Sequence, residues 1–188
     1  QMNVFYIGVD NPVTVSAAGI NSNAISVSMT GDGGGSISKT GGSSYNVKVT
    51  KPTALNQFAF VTVTGGPKPV KVPFRVKRIP DPVPALAPGV HEGNMGNGTF
   101  KAYQGVIAEL KNFDFDARCN IQTFDLVRIA SRQDPVTAQN TGARYNDKAQ
   151  RLVDQAKPGD TYYYRNIKGK CPGDAAGRSL PSMVFTIR

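Results

Sequence analysis

Hydrophobic and polar residues alternate in short runs through the first part of the chain. Val13 and Val15 are separated by Thr14 and followed by Ser16, and Ile25, Val27 and Met29 alternate with Ser26, Ser28 and Thr30. Tyr45, Val47 and Val49 alternate with Asn46, Lys48 and Thr50, and Ala59, Val61 and Val63 with Phe60, Thr62 and Thr64. Val70, Val72, Phe74 and Val76 alternate with Lys71, Pro73, Arg75 and Lys77. A period of two puts successive side chains on opposite faces, the signature of half-buried antiparallel strands. Asn11-Pro12, Ala18-Gly19, Gly41-Gly42 and Gly65-Gly66-Pro67 punctuate the runs. With Val4–Val9 and a short piece near Ile37, the reading is about seven strands at ~10-residue spacing, an immunoglobulin-like pattern. Pro73 has no N–H for a ladder, so its strand is expected at an edge or bulged. The glycine run Gly31–Gly35 lacks the Lys-Ser/Thr and the following helix of a phosphate loop, and reads as a hairpin turn.

Pro80, Pro82 and Pro84 then fall within five residues, which predicts an extended, stiff connector over 80–89. Downstream, Phe113, Phe115, Ala117, Cys119 and Ile121 alternate with Asp114, Asp116, Arg118, Asn120 and Gln122, predicting a strand over Phe113–Phe124. One helix is expected near 147–156. Asn146 caps it, Asp147 suits the positive end of its dipole, and Ala149, Leu152, Val153 and Ala156 follow at helical spacing. Pro158-Gly159 stops it, and strands Thr161–Ile167 and Met183–Ile187 close the chain. The fold class is therefore mainly β in two tandem domains: an immunoglobulin-like β-sandwich over 1–79, and after the connector a β-rich domain with one short packed helix over 90–188.

Composition agrees with many short elements, since 20 Gly and 13 Pro stand in 188 residues. No apolar run approaches the ~18 residues of a membrane span, and no signal peptide is read at the N-terminus. The net charge is +9, concentrated in residues 1–79, where eight basic side chains meet two acidic ones. The basic strand face Lys71, Arg75 and Lys77 contributes to it. No Arg/Lys cluster is interleaved with aromatics, so the charge reads as a solubilising surface and no nucleic-acid role is expected.

Cys119 and Cys171, with His91, are too few for a structural zinc, and no cofactor is expected. The two cysteines would pair in an oxidising compartment and remain buried thiols in a reducing one. His91, the one histidine, lies beside the proline stretch without a Gly-x-Ser-x-Gly and reads as a solvated imidazole. Asp114 and Asp116 share a strand face, which admits acid–base chemistry but reads as a solvated face opposite buried phenylalanines. No enzyme is expected. In Tyr162-Tyr163-Tyr164, Tyr163 has the parity of Ile167 and is expected inward. Tyr162 and Tyr164 would then point out beside Arg165, Lys168 and Lys170, forming either a protein-contact surface or rings packed under a loop.

Several blocks in order resemble the C-terminal periplasmic part of the GldM/PorM family of Bacteroidetes, which serves type IX secretion and gliding motility. The opening Met2 to Val13 is similar to the start of the family's penultimate domain, and Phe74 to Pro82 to its exit into the last one. Glu109 to Arg118 is the most specific block; Pro172-Gly173-Asp174, Arg178-Ser179-Leu180-Pro181 and Phe185-Thr186-Ile187 resemble the family's ending. The resemblance implies a periplasmic location, anchored by an N-terminal inner-membrane helix that this fragment lacks, and an elongated homodimer. It implies a motor built with the inner-membrane partner GldL/PorL through regions outside this fragment. It also implies contact of the last domain with an outer-membrane-associated ring, GldK/GldN or PorK/PorN. A periplasmic setting makes a Cys119–Cys171 disulfide possible, with two unpaired thiols as the alternative. The rival reading is a tandem β-sandwich module that binds a cell-surface protein or carbohydrate.

Overall fold

The alternating runs are strands in the computed structural model, which describes residues 3–188; Gln1 and Met2 of the opening block lie outside the described residues. The first seven strands are β1 (Val4–Tyr6), β2 (Asn11–Thr14), β3 (Ser26–Gly31), β4 (Gly35–Gly41), β5 (Ser44–Val49), β6 (Ala59–Thr64) and β7 (Val70–Lys77). They form two sheets, ordered β1-β7-β6-β3 and β2-β5-β4. All neighbours are antiparallel except β1, which runs parallel to β7. The inward parity is the apolar one: Phe5, Val47, Val49, Ala59, Val61 and Val76 make one buried cluster, and Val15, Ile25 and Tyr45 a second.

One turn reading changes. The glycine run is not a hairpin, because β3 and β4 belong to different sheets. It is an arch that carries the chain across the sandwich. Gly33, at φ +105°, would bring a Cβ to 2.7 Å from Val76, so neither the backbone angle nor the space admits a side chain. The arch is pinned by Asp32, whose carboxylate accepts from the Ala54 backbone N–H at 2.7 Å and pairs with Lys51 at 3.0 Å. Pro73 lies in a strand with two neighbours, yet β1 joins β7 only from Arg75 onward, while Pro73 faces Phe60 of β6. The strand is an edge locally, where the missing N–H would have pointed.

This first unit runs to Ile79 and also takes in Asp114–Ala117 and Pro172–Asp174. The expected strand over Phe113–Phe124 accordingly begins only at Asn120. Asn112 adopts a left-handed φ of +53°, which breaks extended pairing. The alternating phenylalanines serve as anchors instead: the Phe115 ring meets Tyr6 edge-on, centroids 5.1 Å apart. Within the same unit, Arg78 pairs with the buried Asp174 at 2.6 Å.

The second unit starts at Pro80. Its elements are β8 (Val83–Ala85), β9 (Gly93–Met95), α1 (Asn97–Ala102), β10 (Ile107–Glu109), β11 (Asn120–Ile129), β12 (Val136–Thr141), α2 (Asp147–Asp154), β13 (Thr161–Lys170), β14 (Arg178–Ser179) and β15 (Met183–Ile187). The proline-rich stretch is folded into this unit and is not a bare spacer. Pro82 and Pro84 are buried and β8 pairs with β10, an extended backbone that suits a short two-stranded ribbon. The main sheet runs β12-β11-β13-β15-β9, with β14 beside β13. α2 has the predicted cap, the Asn146 side chain accepting from Ala149 N–H at 2.9 Å. The six-residue α1 contributes Phe100 to the core. Phe100, Leu152 and Val153 pack on Phe124, Leu126, Tyr162, Tyr164 and Phe185 of the sheet, so both helices cover one face of it. The whole is mainly β, with 47% strand and 9% helix.

Candidate interaction surface

The tyrosine triplet sits in β13 with the opposite parity to that expected. Tyr162 and Tyr164 are fully buried, and Tyr163 is 40% exposed. The cause is Asn166, whose φ of +51° places a bulge in β13, matched by register shifts in β11. An extra residue at that point puts Tyr163 and Ile167 on opposite faces despite their common parity. The Tyr162 hydroxyl donates to the Leu152 carbonyl in α2. The Tyr164 and Tyr145 hydroxyls share a hydrogen bond at 2.5 Å. Burial holds all three phenols above their ordinary range. Tyr162 and Tyr164 are therefore core residues and not contact residues.

The face of the sheet away from the helices carries the candidate site. Cross-strand register sets Val127, Tyr163 and Val184 in one row over three strands, with Ile129, Thr161 and Thr186 in the next. Val127 is buried beneath its neighbours, and Ile129 is 36% exposed. Beyond this apolar row, Arg165 lies across from Asp125, and Lys168 and Lys170 follow along β13. All three cations are exposed, and their neighbours Tyr164, Ile167 and Gly169 are buried, so they share the side of Tyr163. Among the described residues they form no salt bridge. Asp125 accepts instead from the Asn166 side-chain amide at 2.8 Å.

The other candidates fall elsewhere. Arg75 is spent on structure: its guanidinium donates to the carbonyls of Ala54 (2.8 Å), Gln57 (2.7 Å) and Thr53 (3.3 Å), above the Phe58 ring. Lys71 and Lys77 remain exposed on the same strand. His91 is not a solvated imidazole. Its Nδ1 lies 2.9 Å from the Pro84 carbonyl oxygen and its Nε2 2.9 Å from the Glu109 carboxylate, so it clasps the turn after β8 onto β10. Asp114 and Asp116 are exposed on a loop rather than on a strand. Cys119 and Cys171 form a disulfide. Among the described residues no three His, Cys, Asp or Glu side chains cluster as a metal site. A groove of about 660 Å³ between β12 and the start of α2 is lined by Ala138 and by the polar side chains of Thr137, Gln139, Thr141, Asn146, Asp147 and Lys148.

Two arrangements are invisible in the sequence. Arg128 of β11 pairs with Asp160 at 2.9 Å and donates to Gln155 at the end of α2; both charges are almost wholly buried. Asn11 is buried, donates to the carbonyls of Tyr6, Val9 and Val47, and accepts from Tyr6 N–H, so it ties β1 to β5. Neither carries a local signal, because the partners are set by folding.

Comparison with known proteins adds the family. No protein of curated function matches the chain. Among solved structures, the fibronectin(III)-like modules of Clostridium thermocellum CbhA align over 100% of this chain and 90% of theirs, at 14% identity and a TM-score of 0.27. Residues 1–77 match the model of the GldM third domain, and residues 80–188 match the GldM C-terminal domain. With these two domains matched in that order over nearly its whole length, the chain belongs to the GldM family and is a C-terminal region of this gliding-motility and type IX secretion component.

Proposed function

We propose that this chain is the distal part of a periplasmic shaft. The shaft couples a proton-driven motor in the inner membrane to a ring associated with the outer membrane, for protein secretion and gliding. The observation that carries the reading is the pair of matched domains, third then C-terminal, in one unbroken run. The role is mechanical and non-enzymatic, in keeping with a family and an immunoglobulin-like fold that are structural. The chain acts as a homodimer and meets the ring, GldK/GldN or PorK/PorN, through its last domain, while the motor protein GldL/PorL is joined through regions outside this fragment.

The connectivity supports a coupler. The chain passes between its two units at 79/80, 113/114, 117/118, 171/172 and 174/175. The Cys119–Cys171 disulfide closes the roots of the two excursions, Asp114–Ala117 and Pro172–Asp174. The test is co-purification of the intact chain with purified ring lipoprotein and its partner, with light scattering to give the oligomeric state. Retention of the ring proteins by a dimer supports the proposal; a monomer that retains neither overturns it. Truncation at Pro80 is unsuited to this test, because it removes two segments of the first unit.

A further inference from the structure

The helix-free face of the main sheet in the second unit has the composition of a contact surface. An aromatic ring at its centre, Tyr163, stands in a row with Val127 and Val184, and Ile129 extends the apolar area along β11. Aromatic anchors in an apolar centre with charges at the rim are the usual anatomy of a protein interface. The rim is strongly biased in sign. Arg165, Lys168 and Lys170 lie along one strand, and Asp125, the carboxylate across from Arg165, is engaged by the Asn166 amide. Three cations facing one carboxylate leave a net positive rim beside the apolar row, which selects an occupant that brings carboxylates. At this face a second copy would set the same three cations against one another, so self-association here is disfavoured.

We propose that Tyr163, Val184 and Ile129, with Arg165, Lys168 and Lys170, form the docking face for a partner protein. That partner presents an apolar patch edged by Asp and Glu. This rests on the shaft reading and specifies the face by which the second unit holds the ring. The apolar row supplies the buried anchor. The cations steer the approach and fix its register, so association is fast at low ionic strength and weakens as salt rises.

The test uses the intact chain, immobilised, with the purified ring proteins in solution. Three variants are compared with the parent: Tyr163→Ala, Lys168→Glu/Lys170→Glu, and Lys71→Glu/Lys77→Glu. The last makes the same charge change on the first unit. The altered side chains are exposed, and an unchanged thermal midpoint verifies each fold. The expected result is about a tenfold or greater rise in Kd for Tyr163→Ala and for Lys168→Glu/Lys170→Glu. For Lys71→Glu/Lys77→Glu the expected rise is under about twofold, and binding by the parent weakens between ~0.05 and ~0.5 M salt. Equal losses for both charge variants would mean attraction by bulk charge alone and overturn the proposal. Unchanged binding by all three would overturn it too, while leaving the shaft reading intact. No binding by the parent chain overturns the shaft reading and this face with it. Loss of a dimer on Tyr163→Ala, seen by light scattering, assigns the face to self-association and overturns the proposal. Adsorption of the parent to phosphatidylglycerol vesicles, abolished by Lys168→Glu/Lys170→Glu while ring binding persists, does the same in favour of a lipid surface.

Discussion

At the scale of single residues, the stability of the second unit turns on a few buried polar groups. Arg128 and Asp160 are removed from water together, and each is further satisfied: Asp160 accepts from Lys157 N–H at 3.0 Å and Arg128 donates to Gln155. Removing one partner leaves a buried charge unpaired. Asp160→Asn or Arg128→Ala is expected to cost about 3–5 kcal/mol in urea unfolding. The buried phenols give a second handle. Tyr145, Tyr162 and Tyr164 hold their protons more tightly than in the unfolded chain, because burial disfavours the phenolate. Stability from this source is complete below the ordinary value of 10.0 and is lost as pH rises above it, where only the unfolded chain releases these protons. Titration followed at the tyrosinate band should show one group of tyrosines ionising freely and another ionising only with loss of the fold. Acid acts at Asp32, whose carboxyl is held below its ordinary value by Ala54 N–H and then by Lys51.

Among the elements, β13 shows how one backbone angle decides which side chains meet solvent. The bulge at Asn166 lets both Tyr164 and Ile167 face the core, and it leaves Tyr163, Arg165, Lys168 and Lys170 outside. Left-handed φ is tolerated by Asn and Gly and disfavoured for β-branched residues. Asn166→Val is expected to destabilise by about 1–2 kcal/mol, whereas Asn166→Gly should hold the thermal midpoint close to the parent's. If Val were accepted without loss, the bulge would not be the determinant of facing. α2 is the contrasting case. Its cap, apolar spacing and stop are all local, and the helix forms over Asp147–Asp154, inside the span expected for it.

For the whole molecule, the disulfide is the covalent feature with the longest reach. It joins residues 52 apart in sequence. Cys119→Ser/Cys171→Ser is expected to lower stability by about 2–4 kcal/mol, read as a lower denaturant midpoint that matches the parent once both are reduced. The two excursions at Asp114–Ala117 and Pro172–Asp174 make the first unit discontinuous in sequence. Loss of the disulfide should therefore register in the first unit too, through faster hydrogen exchange at Tyr6 and Ile7, since Gly173 lies so close to Ile7 that a Cβ there would come within 2.9 Å of its side chain.

The sequence by itself determined the strands of the sandwich, because period-two alternation is a local property that survives into the fold, as at Val47, Val49, Val61 and Val76. It also determined α2, through the Asn146 cap and the Pro158-Gly159 stop, and it carried the blocks by which the family is recognised. Only the tertiary structure decided which strands share a sheet, and so that the glycine run is an arch and not a hairpin. It alone decided that Phe115 anchors a loop on Tyr6, and that Arg128 meets Asp160. The facing of the tyrosines belongs to the same class. Parity along a strand is readable only while the strand is regular, and the positive φ of Asn166 is set by pairing with β11, a contact between segments some forty residues apart.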